Sequence, residues 1–353
     1  MTPAAMAPGG ARNRIYYYDL LRIVSFFLVT LYHMLVQLAL CGICPMDRVA
    51  PWFQNGNMHI ATLAVALFFM LSGAGLTVSA QSGLSPGKYY KSRFLRLMVP
   101  FYLAVLLACG FKLVTAGRLP DVFYAGVPAW RLVFTLLGVD GWLSLYGVQT
   151  FYVGIGEWFL GELIVLTAVF PLLRWARDRF PKLFFAACTG VYLYMVHRYS
   201  TDPNLFVKIA VKGYDFVVGM YFAKYCRRIP GWCAALAAAA AACLMFAGLP
   251  FEVNPAIRAL LLSASVFAAF SGLEPLLQRR KPSFLQRAQI YSYPLFLVHH
   301  RVIYAMTSRF APYYSGTVSI VMLFAAEFLV TAALAVGVKR LSDRAIGLAK
   351  GRK

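Results

Sequence analysis

The chain reads as an all-α polytopic membrane protein, and three observations predict it. Of its 353 residues, 61% are hydrophobic and only 13% are charged. A water-soluble domain has no means of hiding that much apolar surface. The apolar residues fall into ten runs, most of them near the ~20 residues that cross a bilayer. The formal charge of +21 is not gathered into one domain or stripe, as a nucleic-acid surface requires. It recurs in short loops between the runs, the pattern that insertion topology imposes.

The runs lie at 21–42, 58–80, 97–116, 154–173, 183–198, 206–224, 232–250, 256–276, 288–308 and 316–338. Each reads as a transmembrane helix, the fifth being the shortest. Residues 117–150 form the longest connection, with room for an interfacial helix around Trp130–Tyr146. With the N-terminus inside, the cytoplasmic loops hold Arg12 and Arg14, then Lys88, Lys91, Arg93 and Arg96, then Arg174, Arg177, Arg179 and Lys182. Lys224, Arg227 and Arg228 follow, then Arg279, Arg280, Lys281 and Arg287, and a tail with Lys339, Arg340, Arg344, Lys350, Arg352 and Lys353. The outer loops hold only Arg48, Arg118, Arg131, Arg198, Arg258 and Arg309. This asymmetry places both termini in the cytoplasm. Three regions result: a disordered segment over 1–14, rich in Ala, Pro and Gly, a ten-helix membrane domain over 15–340, and a basic cytoplasmic tail over 341–353. The first run is too long, and its flank too ordinary, for a cleaved signal peptide.

Within this frame the first helix carries the most informative pair. Arg22 and His33 are eleven positions apart, which brings a helix back to within about 20° of its starting direction and separates them by roughly 16 Å along the axis. Arg22 stands where the helix enters the bilayer and His33 lies deep within it. A titratable side chain in hydrocarbon is costly and points to function. Arg93 and Arg96, three apart and on the same side as Arg22, add guanidinium groups suited to clamping phosphates. On the second helix, Phe68-Phe69 and Ser72-Gly73-Ala74-Gly75 permit a close helix crossing, with room beside it for a narrow ligand. On the ninth, Ser292 and His299 are seven apart and share a face. His299 enters from the same side as His33, to a similar depth.

Charged residues elsewhere read differently. Lys208, Lys212 and Asp215 fall roughly on one face of the sixth helix, where they neutralise one another. Glu327 on the last helix has no evident partner. Cys41 and Cys44 form a C-x-x-C without a second pair or a nearby histidine cluster, so no metal site is expected, and a disulfide between them stays open.

These residues give the chain a resemblance to the membrane acyltransferase-3 family, bacterial integral-membrane O-acyltransferases that modify envelope glycans and other exported molecules. Asp19-Leu20-Leu21-Arg22 with His33 is similar to the family's arginine–ten residues–histidine motif, and Phe68 to Gly73 to its second-helix Phe-Phe…Ser-Gly motif. Arg93-Phe94-Leu95-Arg96 is similar to its R-x-x-R motif, and Trp158-Phe159-Leu160 with Phe170-Pro171 to its Trp-x-Leu…Pro helix. Ser292-Tyr293-Pro294-Leu295-Phe296-Leu297-Val298-His299 is similar to its late Ser-Tyr…Leu-x-His motif. Each is weak alone; five in order are specific. One departure stands out. Many members carry a glutamate five residues after the tryptophan, where this chain has Leu163, and the acid is Glu162 instead. One step turns a helical side chain by about 100°, so the family role is not carried over.

Residues and resemblance imply one mechanism. Cytoplasmic acyl-coenzyme A, acetyl-CoA first among donors, docks its phosphates at Arg22, Arg93 and Arg96, supported by Asp19. Its thioester passes Ser72 and Gly73 to reach His33, with His299, supported by Ser292 and Tyr293, as the second catalytic candidate. A neutral imidazole either deprotonates the acceptor hydroxyl or carries the acyl group. The acceptor, an envelope glycan or a lipid-linked or exported molecule, arrives past Glu157, Trp158 and Glu162. No tightly bound cofactor is expected, and the setting is the cytoplasmic membrane. The rival class is a secondary transporter or flippase, whose inverted repeats and paired Gly/Pro-broken helices find no convincing counterpart here.

Overall fold

A computed structural model describes residues 14–55, 58–81, 83–202, 204–226, 229–246, 253–313 and 316–349. The segment expected to be disordered lies outside the described residues apart from Arg14, as do Arg227, Arg228, Lys350, Arg352 and Lys353. Every one of the ten apolar runs contains a helix. In chain order the helices are α1 (Tyr16–Leu40), α2 (Met46–Phe53), α3 (Ile60–Ser79), α4 (Pro86–Ala116), α5 (Leu132–Leu137), α6 (Asp140–Ser144), α7 (Glu157–Arg179) and α8 (Pro181–Arg198). They continue as α9 (Ile209–Tyr225), α10 (Gly231–Phe246), α11 (Pro255–Ser271), α12 (Glu274–Arg280), α13 (Ser283–Ala288), α14 (Ser292–Phe310) and α15 (Gly316–Ala349). A two-residue antiparallel pairing of Gln54–Asn55 with Met58–His59 is the one sheet among the described residues.

Among the described residues, α1, α3, α4, α7 and α15 are long and apolar enough to cross a membrane, and α11 with α12, bent by 43°, makes a sixth span if counted as one. The protein is a multi-pass membrane protein. The helices in the remaining expected spans, α8, α9, α10 and α14, are shorter or less apolar. Element ends differ from expectation where polar residues continue a helix. α4 begins at Pro86, whose ring suits the first helical turn, so Arg93 and Arg96 lie on the helix itself. α15 runs unbroken to Ala349, through most of the segment set apart as a tail. The expected interfacial helix is instead two short ones, α5 and α6, separated at Gly138 (φ +69°).

α3 is the centre of the fold. Its crossing with α9 is made by glycine on both sides: a Cβ on Gly73 would lie 2.0 Å from the Phe216 carbonyl oxygen, and one on Gly219 2.0 Å from that of Met70. Only hydrogen fits at either position, so the two backbones touch. α3 is buried on every side but one. Ala61, Thr62, Val65, Phe68, Ser72, Gly75, Val78 and Ser79 are partly accessible, and all its other residues from Leu63 to Thr77 are buried. These positions recur every three or four residues, so they form one continuous stripe down the helix.

α1 is anchored at its start by the Glu274 carboxylate, which accepts from the backbone N–H groups of Tyr16 (3.2 Å) and Tyr17 (2.9 Å). A carboxylate at a helix N-terminus satisfies free donors and complements the dipole. The sixth-helix charges resolve into two pairs. Lys212 and Asp215 are both buried and 3.1 Å apart on α9. Lys208 precedes the helix and pairs instead with Asp202 at 2.8 Å, which corrects the three-residue grouping. Glu327 has a partner too: the Thr307 hydroxyl donates to its Oε1 at 2.6 Å.

Candidate active site

Three helices converge on one centre. α1 contributes His33, the first turn of α7 contributes Glu157, and α14 contributes His299 and His300. His33 Nε2 lies 3.7 Å from Glu157 Oε2, and His300 Nδ1 lies 2.7 Å from Glu157 Oε1. The His33 ring centroid is 5.3 Å from that of His299 and 4.7 Å from that of His300. His299 is fully buried, with Nδ1 2.7 Å from the Phe296 carbonyl oxygen. A carbonyl only accepts, so the neutral ring carries its proton on Nδ1 and keeps a lone pair on Nε2. That Nε2 is buried with no hydrogen-bond partner among the described residues.

Glu157 is delivered by an unusual piece of backbone. Gly154 (φ +76°) and Gly156 (φ +83°) lead into it, and Glu157 itself has φ +37°. A non-glycine residue rarely adopts such a φ, and backbone strain of this kind collects at functional sites. Neighbours hold the turn in place. A Cβ on Gly154 would meet Arg301 Cδ at 2.5 Å, and one on Gly141 of α6 would meet the Glu157 carbonyl carbon at 2.5 Å.

A cavity of about 270 Å³ opens on this centre, lined by His33, Glu157, Trp158, Phe68, Tyr32 and Lys212 among others. His33 therefore faces open space, whereas His299 stands behind it. The accessible stripe of α3 forms part of the wall through Ala61, Thr62, Val65 and Phe68. Further down the stripe lie the arginines. Arg22 Nη2 packs over Gly75, 3.4 Å from where a Cβ would stand. Buried Asp19 holds it at 3.2 Å and also takes Arg14 at 2.6 Å. Arg93 donates to Ser79 Oγ at 3.3 Å, its guanidinium 5.6 Å from the Tyr89 ring centroid. Gly75 and Ser79 are one turn apart, so Arg22 and Arg93 meet the same face of α3. Arg96 is exposed, one turn further along α4.

The other sequence candidates separate into lining and scaffold. Ser72 lies on the stripe, its hydroxyl donating to the Phe68 carbonyl at 2.8 Å. Gly73 does not: it is turned into the α9 crossing, and the stripe position is Gly75. Ser292 donates to the Gln289 carbonyl and Tyr293 to that of Leu97, both at 2.8 Å, so they fasten α14 to its leading turn and to α4. Trp158 lines the cavity. Glu162 is fully buried and does not line it, with Lys212 and Asp215 as charged neighbours. Sequence reasoning missed His300 as a member of the centre and Arg301 as the side chain packed against Gly154 in the turn before Glu157; the His-His-Arg run following Val298 was the available signal.

Fold and site together define a multi-helix membrane protein with a histidine–carboxylate centre on a cavity, joined along one helix face to a pair of arginines. A family model for an acyltransferase domain matches residues 15–338, and the chain belongs to the acyltransferase-3 family; it is a membrane acyltransferase. No curated protein and no solved structure matches it.

Proposed function

We propose that this enzyme transfers an acyl group, acetyl by preference, from cytoplasmic acyl-coenzyme A to a hydroxyl of an envelope glycan or another exported acceptor. The observation that carries this reading is the accessible stripe of α3. It links Arg22 and Arg93 at Gly75 and Ser79 to the cavity at His33 and Glu157. Gly75 and Val65 are separated by about 15 Å of helix axis, a span suited to an extended pantetheine arm. Guanidinium groups at one end take phosphates, and the thioester reaches the imidazole at the other.

In this reading His33 takes the proton of the acceptor hydroxyl as its oxygen attacks the thioester carbonyl. The carbon–sulfur bond breaks, and the departing thiolate takes that proton back. The Glu157 carboxylate, 3.7 Å from His33 Nε2, stabilises the transient imidazolium charge. Transfer through an acyl-imidazole on His33 is the covalent variant. His299 positions the His33 ring from behind. Ten crossings of the cytoplasmic membrane, with α8, α9, α10 and α14 completing the set, put both termini in the cytoplasm, as the loop charges support. The test is incubation of purified protein with acetyl-labelled acetyl-CoA and an envelope glycan fraction. Label passing to the glycan with release of free coenzyme A is expected; no donor binding and no release would overturn the reading.

A further inference from the structure

We propose that His33, Glu157 and His299 form a binding site for a zinc-class divalent cation, and that occupancy of this site blocks acyl transfer. Each residue offers one ligand atom, and these atoms all lie within 4.8 Å of one another. Two imidazoles and one carboxylate with an open fourth position are a common zinc donor set. Metal–ligand bonds of about 2.0–2.2 Å require these atoms to close in modestly from that spacing.

Three features distinguish this cluster from a chance grouping. The first is the orphaned lone pair: His299 is fully buried, yet its Nε2 has no partner among the described residues. Burying an acceptor unsatisfied is costly, and a cation would satisfy it. The second is the outer layer of contacts. His299 Nδ1 is held by the Phe296 carbonyl at 2.7 Å, and a ligating histidine usually gives its other ring N–H to such an acceptor. The other oxygen of Glu157, Oε1, lies 2.7 Å from His300 Nδ1, which leaves Oε2 for the metal. The third is access. His33 and Glu157 line the cavity of about 270 Å³, so a cation has an entry path and its fourth position can hold water. The ligands come from three helices distant in sequence, so no spacing motif announces them.

The inhibitory consequence rests on the proposed role of His33. A lone pair that binds a cation cannot also accept a proton or an acyl group. Binding itself does not depend on that role, so it is tested without donor or acceptor. Purified, chelator-treated protein is titrated with Co²⁺ as a spectroscopic probe and then with Zn²⁺ in competition. One Co²⁺ per chain with the visible absorption of a four-coordinate site, displaced by Zn²⁺, is expected. His299→Ala and the near-isosteric Glu157→Gln should each weaken binding at least tenfold. His300→Ala should weaken it about 10–100-fold, as loss of an outer contact does. The double variant Cys41→Ser/Cys44→Ser should bind as wild type does. No stoichiometric binding, or binding retained in Glu157→Gln and lost in the cysteine variant, would overturn the proposal. Acyl transfer is then assayed with chelator and with added Zn²⁺. Transfer unaffected or restored at saturating Zn²⁺ would overturn the blocking role, and absence of transfer both with chelator and with Zn²⁺ would instead count against the proposed function.

Discussion

At the scale of single residues, the two central histidines differ in what they can reach. His33 opens on the cavity, whereas His299 is enclosed behind it. His33→Ala, His33→Gln and His33→Asn should therefore all abolish transfer, because an amide hydrogen-bonds but takes no proton near neutral pH. The expected loss is about 10²–10⁴-fold, and more if an acyl-imidazole is obligatory. Turnover by detergent-solubilised variants, normalised to folded protein, measures this; near wild-type turnover in His33→Asn would remove His33 from the chemistry. The arginines should behave otherwise. Arg22→Ala and Arg93→Ala should raise the apparent KM for the donor more than they lower kcat, since phosphates are remote from the reacting carbonyl. Arg22→Lys should also impair donor use, because a point charge does not replace a planar fork. Steady-state kinetics with varied acetyl-CoA decides it, and a pure kcat loss would argue against phosphate binding there. Sequence made Arg22 and His33 legible because both lie on one regular helix, where spacing alone fixes their faces. Glu157 was assigned only to the acceptor side, since a turn built from Gly154, Gly156 and its own positive φ follows no period.

At the scale of elements, α3 separates two glycines that look alike in sequence. Gly73 meets the α9 backbone and Gly75 meets the end of the Arg22 side chain. Gly73→Leu has nowhere to put its side chain and should reduce the yield of folded protein. Gly75→Leu meets a flexible guanidinium, so the protein should fold while donor use falls as the stripe is obstructed. Size-exclusion profiles beside donor kinetics check the pair; the reverse pattern would show that the stripe is not the donor path. Small residues at helical spacing mark a crossing but not its partner, and only packing shows which glycine faces which. The short helices over 132–144 add a pH dependence. Asp140 is buried, which pushes its carboxyl up to about 6. A folded-state value above the unfolded one, 3.8, means that this contribution is fully present below the unfolded value and is lost as pH rises through about 6. Asp140→Asn should therefore stabilise the protein most at pH 7–8 and flatten this part of the profile. Thermal unfolding across pH 4–8 measures it, and an unchanged profile would show that Asp140 ionises freely.

At the scale of the whole molecule, the question is which side of the membrane each end of the α3 stripe faces. Composition made the polytopic class and the position of every apolar helix legible. It did not resolve the number of crossings, because hydropathy measures a segment against lipid alone. α9 buries Lys212 against Asp215 within the protein, which spares both charges contact with hydrocarbon but lowers the apolar score of the segment. Parity makes the count testable. If all ten runs cross, the loop after α8 lies outside and the connection between α12 and α13 lies inside. An alkaline phosphatase reporter, active only after export, should be active when joined after Gly126 or Thr201 and inactive after Lys281 or Lys353. Activity after Gly126 but not after Thr201 would show that α8 does not cross. That result would also move the loop at Asp202 and Lys208 to the donor side. Activity after Lys281 with none after Gly126 would invert the molecule. Arg22 and Arg93 would then face away from cytoplasmic coenzyme A, and the donor path along α3 could not operate as proposed.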